Sequence, residues 1–142
     1  MYSRMLTLSR LPETLTNWAS HLEVPGIVII LAFVAVLLVL GCIIDSVSIL
    51  LLTMPIMVPI AVAFGYDKVW FGIVAILTIE LGLLTPPFGM VVFAMKAALP
   101  EDVSVEEIFL GSAPFFVMLL LALAIIIAVP EISLFFPRLL LG

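Results

Sequence analysis

Polar side chains cut this chain into apolar runs, and the cuts place its elements. From Gly26 to Ile44 the sequence GIVIILAFVAVLLVLGCII carries no charge, and a helix over it approaches the roughly 30 Å hydrocarbon thickness of a bilayer. Asp45, Ser46 and Ser48 interrupt, and Ile49 to Phe64 is apolar again, with Pro55 and Pro59 inside it and the polar loop GYDKVW after it. A third run begins near Val69 as WFGIVAILTIELGLLTPPFGMVVFAMKAAL. It is too long for one straight crossing, and Glu80, Gly82, Thr85, Pro86, Pro87 and Gly89 fall in its middle. Each proline removes a backbone donor and each glycine relaxes the steric limits, so the pattern over 69–98 predicts a broken transmembrane helix unwound over 81–89.

The flanks are different. Residues 1–25 mix Leu6, Leu8, Leu11, Leu15 and Trp18 with Arg4, Arg10, Glu13, His21 and Glu23, which reads as an interfacial or amphipathic lead-in. Trp18 and His21 suit a membrane-water boundary. An acidic loop is expected over 99–111, with a short interfacial turn from Val105 to Leu110. An uncharged transmembrane helix is expected over 112–130, and an interfacial tail over 131–142 carrying Phe135, Phe136 and Arg138.

Two geometries suit the first pair of runs, 26–64. Either both cross the membrane and IDSVS is a surface loop, or they form a re-entrant helical hairpin whose polar tip, 45–48, stops inside the bilayer. The stretch between them holds no Lys or Arg and no Gly-Asn type turn, only one carboxylate between two apolar arms, which favours the hairpin. Backbone can break at that depth only where protein or water satisfies its freed groups.

Composition makes the bilayer the solvent. Of 142 residues 65% are hydrophobic and 11% charged, against about 45–50% and about 25% in an ordinary soluble domain. The apolar runs lie within the chain and are too long for a signal-peptide core. Net charge is −5, the acids crowd into PEDVSVEE, and no basic cluster offers a grip on nucleic acid or anionic lipid. Cys42 is the single cysteine, which excludes an internal disulfide and a cysteine-rich zinc site and leaves it a small apolar core residue.

Candidate chemistry gathers at the interruptions. A charge in the bilayer costs roughly 2.5–3.5 kcal/mol on insertion scales, so Asp45 and Glu80 need a reason. Asp45 followed by Ser is what a helix N-cap looks like, and it is equally a candidate ion-site carboxylate. Glu80 is either bonded to a neighbouring helix or functional. The freed carbonyls of LGLLTPPFG and the Thr85 hydroxyl are hard oxygens of the kind a cation takes, and Asp45, Ser46 and Ser48 could add to them from an apposed hairpin tip. The chain has no phosphate-binding glycine loop, no HExxH, no GxSxG and no His or Cys cluster, so the expectation is a transporter component and not an enzyme. The competing expectation is a non-transporting structural or assembly subunit whose polar residues only join helices.

Taken together, LGCIIDS, the paired prolines of TMPIMVP, the GYDKVWFG loop and ELGLLTPPFG closely resemble, in order and spacing, the large membrane (DctM-like) subunit of tripartite ATP-independent periplasmic, or TRAP, transporters. The match runs from about Leu11 to Pro137. The resemblance implies an all-α integral membrane protein of the bacterial inner membrane, multi-pass. It implies one repeat of an inverted-repeat transporter fold, with a re-entrant hairpin, a broken transmembrane helix and a further transmembrane helix. It implies a permease component of a sodium-coupled symporter for organic acids of the C4-dicarboxylate, keto acid or sialic acid type. A periplasmic binding protein would deliver the substrate, a small membrane subunit would be a permanent partner, and no cofactor beyond the sodium ion is expected. The cation site it implies is Gly41, Asp45 and Ser46 facing Gly82 and Thr85, with Pro86, Pro87 and Gly89 shaping the loop. Substrate-binding residues are not implied. Family members are several times longer, so the expectation is a C-terminal portion equivalent to the second repeat, or an inactive truncated fragment.

Overall fold

The computed structural model describes residues 24–86 and 88–141, with backbone alone at 136 and 141, and residues 13, 14, 17, 18 and 21 nearer the N-terminus. Most of the expected lead-in therefore lies outside the described residues; Trp18 and His21 are helical and exposed. Six helices follow in order: α1 (Gly26–Gly41), α2 (Ser46–Ala63), α3 (Lys68–Leu84), α4 (Met90–Ala98), α5 (Val105–Ala128) and α6 (Pro130–Leu141). Among the described residues there is no strand, and the fold is all-α.

Short-range chemistry sets the helix ends. Asp45 caps α2 by accepting the Ser48 N–H at 3.0 Å, and Asp67 caps α3 by accepting the Val69 N–H at 2.7 Å and the Trp70 N–H at 3.4 Å. α2 closes on Gly65, which takes φ +87. There the Gly65 N–H reaches Val62 O at 2.9 Å and the Tyr66 N–H reaches Ala61 O at 3.1 Å, a pattern open to a residue with no Cβ. Pro55 and Pro59 lie inside α2, which runs unbroken through both although each lacks the N–H that would reach back one turn.

Two boundaries differ from the sequence expectation. α5 starts at Val105, inside the stretch read as an acidic loop, because Ser104 and Glu107 form a reciprocal capping box. The Ser104 N–H donates to Glu107 Oε2 at 2.8 Å and the Glu107 N–H to Ser104 Oγ at 3.2 Å. The loop that remains is gathered by Lys96, whose ammonium donates to the carbonyls of Pro100, Glu101 and Val103. α3 stays helical through Leu84, so the break covers 85–89 and not 81–89. The physical reason is Pro86: it forces the residue before it out of the helical region, and Thr85 sits at φ −75, ψ 124.

α3 is the axis of the packing, and each of the other five helices touches it. Trp70, Phe71, Val74, Ala75, Thr78, Ile79, Leu81 and Gly82 are its buried residues. α1 runs parallel to α3: Gly26 lies against Tyr66, just before α3, and Gly41 lies against Gly82 near its end. α2, which connects them in the chain, returns antiparallel and packs on both. α5 is also antiparallel, since the Trp70 indole N–H near the start of α3 donates to Ile126 O, near the end of α5, at 2.8 Å. That bond occupies one of the carbonyls that a helix C-terminus leaves without an intrahelical donor. Tyr66 stacks on the same indole, ring centroids 5.0 Å apart, and Phe33 meets Phe71 edge-on at 5.9 Å.

The outer surfaces are apolar. Leu110, Phe115, Met118, Leu121 and Ile125 of α5, and Leu51 and Leu52 of α2, are all exposed. α2 and α5 are long and apolar enough to cross a membrane. α1, with 16 residues, extends about 24 Å, short of the roughly 30 Å core.

Trp70→Phe keeps most of the ring packing and deletes the donor to Ile126. We expect it to cost about 1 kcal/mol, read as a lower Tm in detergent. Trp70→Ala, which also empties the buried pocket, should cost roughly 3–5 kcal/mol.

Candidate cation site at two apposed helix breaks

Among the breaks between helices, packing places the one at 42–45 after α1 beside the one at 85–89 after α3. What permits it is the lack of a side chain at Gly41 and Gly82. A Cβ on Gly41 would stand 2.8 Å from Ile79 O and 3.1 Å from Gly82 Cα. On Gly82 it would stand 2.7 Å from Leu38 O and 2.8 Å from Gly41 Cα. The two backbones are thus in direct contact, and both glycines are buried.

Because α1 and α3 are parallel, the contact brings two helix C-termini together. Each carries a partial negative charge, about half an electron, on its last carbonyls. In α1 the Cys42, Ile43 and Ile44 N–H groups fold back on Leu38, Val39 and Leu40, so Leu40 is the last carbonyl that this turn supplies with a donor and Gly41 O comes next. In α3 the Thr85 N–H closes on Gly82 O at 3.0 Å, and the Thr85 hydroxyl donates to Leu81 O at 2.7 Å. A carbonyl oxygen has a second lone pair and a donating hydroxyl remains an acceptor, so Gly82 O and Thr85 Oγ1 retain capacity for a cation. Among the described residues no three His, Cys, Asp or Glu gather as a metal-holding group. The oxygens on offer are carbonyls and a hydroxyl, the ligand set of an alkali cation and not of a transition metal.

The residues singled out in the sequence take distinct places. Gly41 and Gly82 meet, and Thr85 ends the helix that carries Gly82. Asp45 is exposed and directs its carboxylate to the first turn of α2, the capping role weighed above. Ser46, the first residue of α2, donates its hydroxyl to Glu80 Oε1 of α3 at 3.3 Å. Glu80 thus has a partner on a neighbouring helix, and the pairing itself was not visible in the sequence; its one signal there was a single acid in an apolar run. Pro86 is exposed in the turn, Pro87 lies outside the described residues, and Gly89 is buried as the N-cap of α4 against Phe109. The Gly89 N–H returns to Thr85 O at 3.0 Å, which holds the break to one tight turn.

Residues 1–132 match the model of a family described as the tripartite ATP-independent periplasmic transporter, DctM component. The chain is 33% identical to the sialic acid TRAP transporter large permease protein SiaM of Vibrio cholerae, over all of this chain and 33% of that protein. It is 29% identical to the C4-dicarboxylate large permease protein DctM of Pseudomonas aeruginosa, over 97% of this chain and 32% of that protein. To the sialic acid TRAP transporter permease protein SiaT of Haemophilus influenzae it is 36% identical, over 75% of this chain and 17% of that protein. The chain spans about a third of the length of the first two relatives.

Gly82→Ala must push α1 and α3 apart, because the clash is with backbone and not with a movable side chain. It should cost about 1–3 kcal/mol. Gly72→Ala on the same helix, where a Cβ meets nothing within 4 Å, should instead gain roughly 0.5–1 kcal/mol. Thermal unfolding of the two variants in detergent checks the contrast.

Proposed function

Because the chain belongs to the DctM-component family of tripartite ATP-independent periplasmic transporters, whose named relatives are membrane permeases, we propose that it forms the ion-clamping part of a sodium-coupled permease for organic acids. The observation that carries this reading is the backbone contact of Gly41 with Gly82, which sets the C-terminal ends of two parallel helices side by side just before their breaks. Broken helices that expose carbonyls at a cation are a recurrent solution in secondary transport. Sodium would be held by the carbonyls of Gly41 and Gly82 and by the Thr85 hydroxyl, with Asp45 and Ser46 shaping the tip. α1 and α2 would be a re-entrant hairpin, since α1 is short of a full crossing and its tip meets the α3–α4 pair near that pair's break. The same three elements, hairpin, broken helix and the long span α5, would be one repeat of an inverted-repeat fold in the bacterial inner membrane.

Substrate and partners follow from the relatives. SiaM and DctM are named for sialic acid and a C4-dicarboxylate, both organic anions, and coupling an anion to sodium entry supplies a driving force with no nucleotide site. The complete permease would work with a small membrane subunit and a periplasmic binding protein that delivers the acid. Alternating access would then move the clamp, with ion and substrate aboard, against a fixed scaffold.

The test is sodium-dependent uptake of sialic acid and C4-dicarboxylates by the complete permease and its partners in proteoliposomes. Removing one oxygen ligand with Thr85→Ala should raise the sodium concentration for half-maximal uptake about tenfold, the equivalent of roughly 1–1.5 kcal/mol. Unchanged sodium activation at matched folding would mean that the break is structural and that the cation lies elsewhere.

A further inference from the structure

The hairpin tip rests on α3 by both of its legs. The first leg, the end of α1, is held by the Gly41–Gly82 contact, which is backbone against backbone. Such contact is dispersive and has little directional preference, so it brings the helices close without fixing how far one slides along the other. The second leg, the start of α2, is joined to α3 by a directional bond: the Ser46 hydroxyl donates to Glu80 Oε1 at 3.3 Å, across 34 residues of sequence. Between the legs lies the turn Cys42–Asp45, where Asp45 is committed to capping α2. Glu80 is exposed on this chain and Ser46 half-buried, and a carboxylate on an apolar helix of a membrane protein is expensive unless it has such a partner.

We infer that Glu80 is a positioning residue: by accepting the Ser46 hydroxyl it locks the hairpin tip in register with α3 and so sets how the Gly41 and Gly82 carbonyls face the cation. The inference rests on the sodium reading for its effect on transport, but the lock itself does not depend on which ion is bound. Glu80 acts here as a hydrogen-bond acceptor and not as a charge, so a glutamine, which keeps a carbonyl oxygen at the same reach, fulfils the role. Glu80 touches no ion in this account; it acts through Ser46.

Cys42 supplies an independent readout. It is the first residue of the tip turn, half-buried, and its thiol donates to Leu38 O at 3.3 Å. A loosened tip exposes it to alkylation.

The experiment uses the complete permease with its partner subunits in proteoliposomes, with any cysteine other than Cys42 replaced. It compares Ser46→Ala, Glu80→Ala, Glu80→Gln and the Ser46→Ala/Glu80→Ala double variant. Two quantities are read: the rate of Cys42 labelling by a small maleimide, and the sodium concentration for half-maximal uptake. Loss of one hydrogen bond should raise both about fivefold in each alanine variant, while the glutamine variant stays within roughly twofold of wild type. The double variant should match the single ones, since the second substitution removes a partner already lost. The lock is overturned if either alanine variant labels at the wild-type rate, if Glu80→Gln behaves like Glu80→Ala, or if the single effects multiply. Wild-type uptake that ignores sodium would instead sink the ion reading, and the order of Cys42 labelling rates would still decide the lock.

Discussion

The backbone contact between Gly41 and Gly82 lets two parallel helices end side by side at a separation that any side chain would forbid. The rest of the site depends on it. Parallel helices place like dipole ends together, which repel each other unless a positive charge sits between or near them. The segment from Lys68 to Lys96 carries no basic residue between those two that could offset this repulsion, so within it the close approach of the two glycine backbones is made against the dipoles and not by them.

Membrane surroundings decide which forces can hold this packing. Lipid is as apolar as leucine, so helices are not driven together by escape from water; they associate through close contact and through hydrogen bonds. Both devices are visible along α3. Small residues give the close approach at one end, and a buried indole gives the hydrogen bond at the other, where Trp70 reaches the Ile126 carbonyl. α5 accordingly has its inner face fixed on α3 while Phe115, Met118 and Leu121 remain exposed on its outer face.

Much of the fold was legible along the chain. The interruptions at Asp45 and at Thr85-Pro86 mark helix ends because an N-cap and an X-Pro pair act within a few residues. The start of α5 was legible too, as Ser104 followed by Glu107, yet the acidity of the surrounding loop made it read as coil; two of its acids in fact sit in the first turn of a helix, where the dipole favours them. The end of α3 was placed too early because Gly82 looked like a point of unwinding. Its actual role is to let another helix touch the backbone.

What the sequence determined by itself was the solvent, the main apolar helices with the ends that Asp45 and the Thr85-Pro86 pair mark, and the family, since each of these follows from composition, hydrophobic runs and turn chemistry read over short stretches. What only the tertiary structure decided was which interruptions meet. Gly41 with Gly82, Ser46 with Glu80 across 34 residues and Trp70 with Ile126 across 56 are pairings of distant positions, and nothing local distinguishes the right partner from the many wrong ones. They are selected by how whole helix faces fit, a property that exists only once the helices are packed.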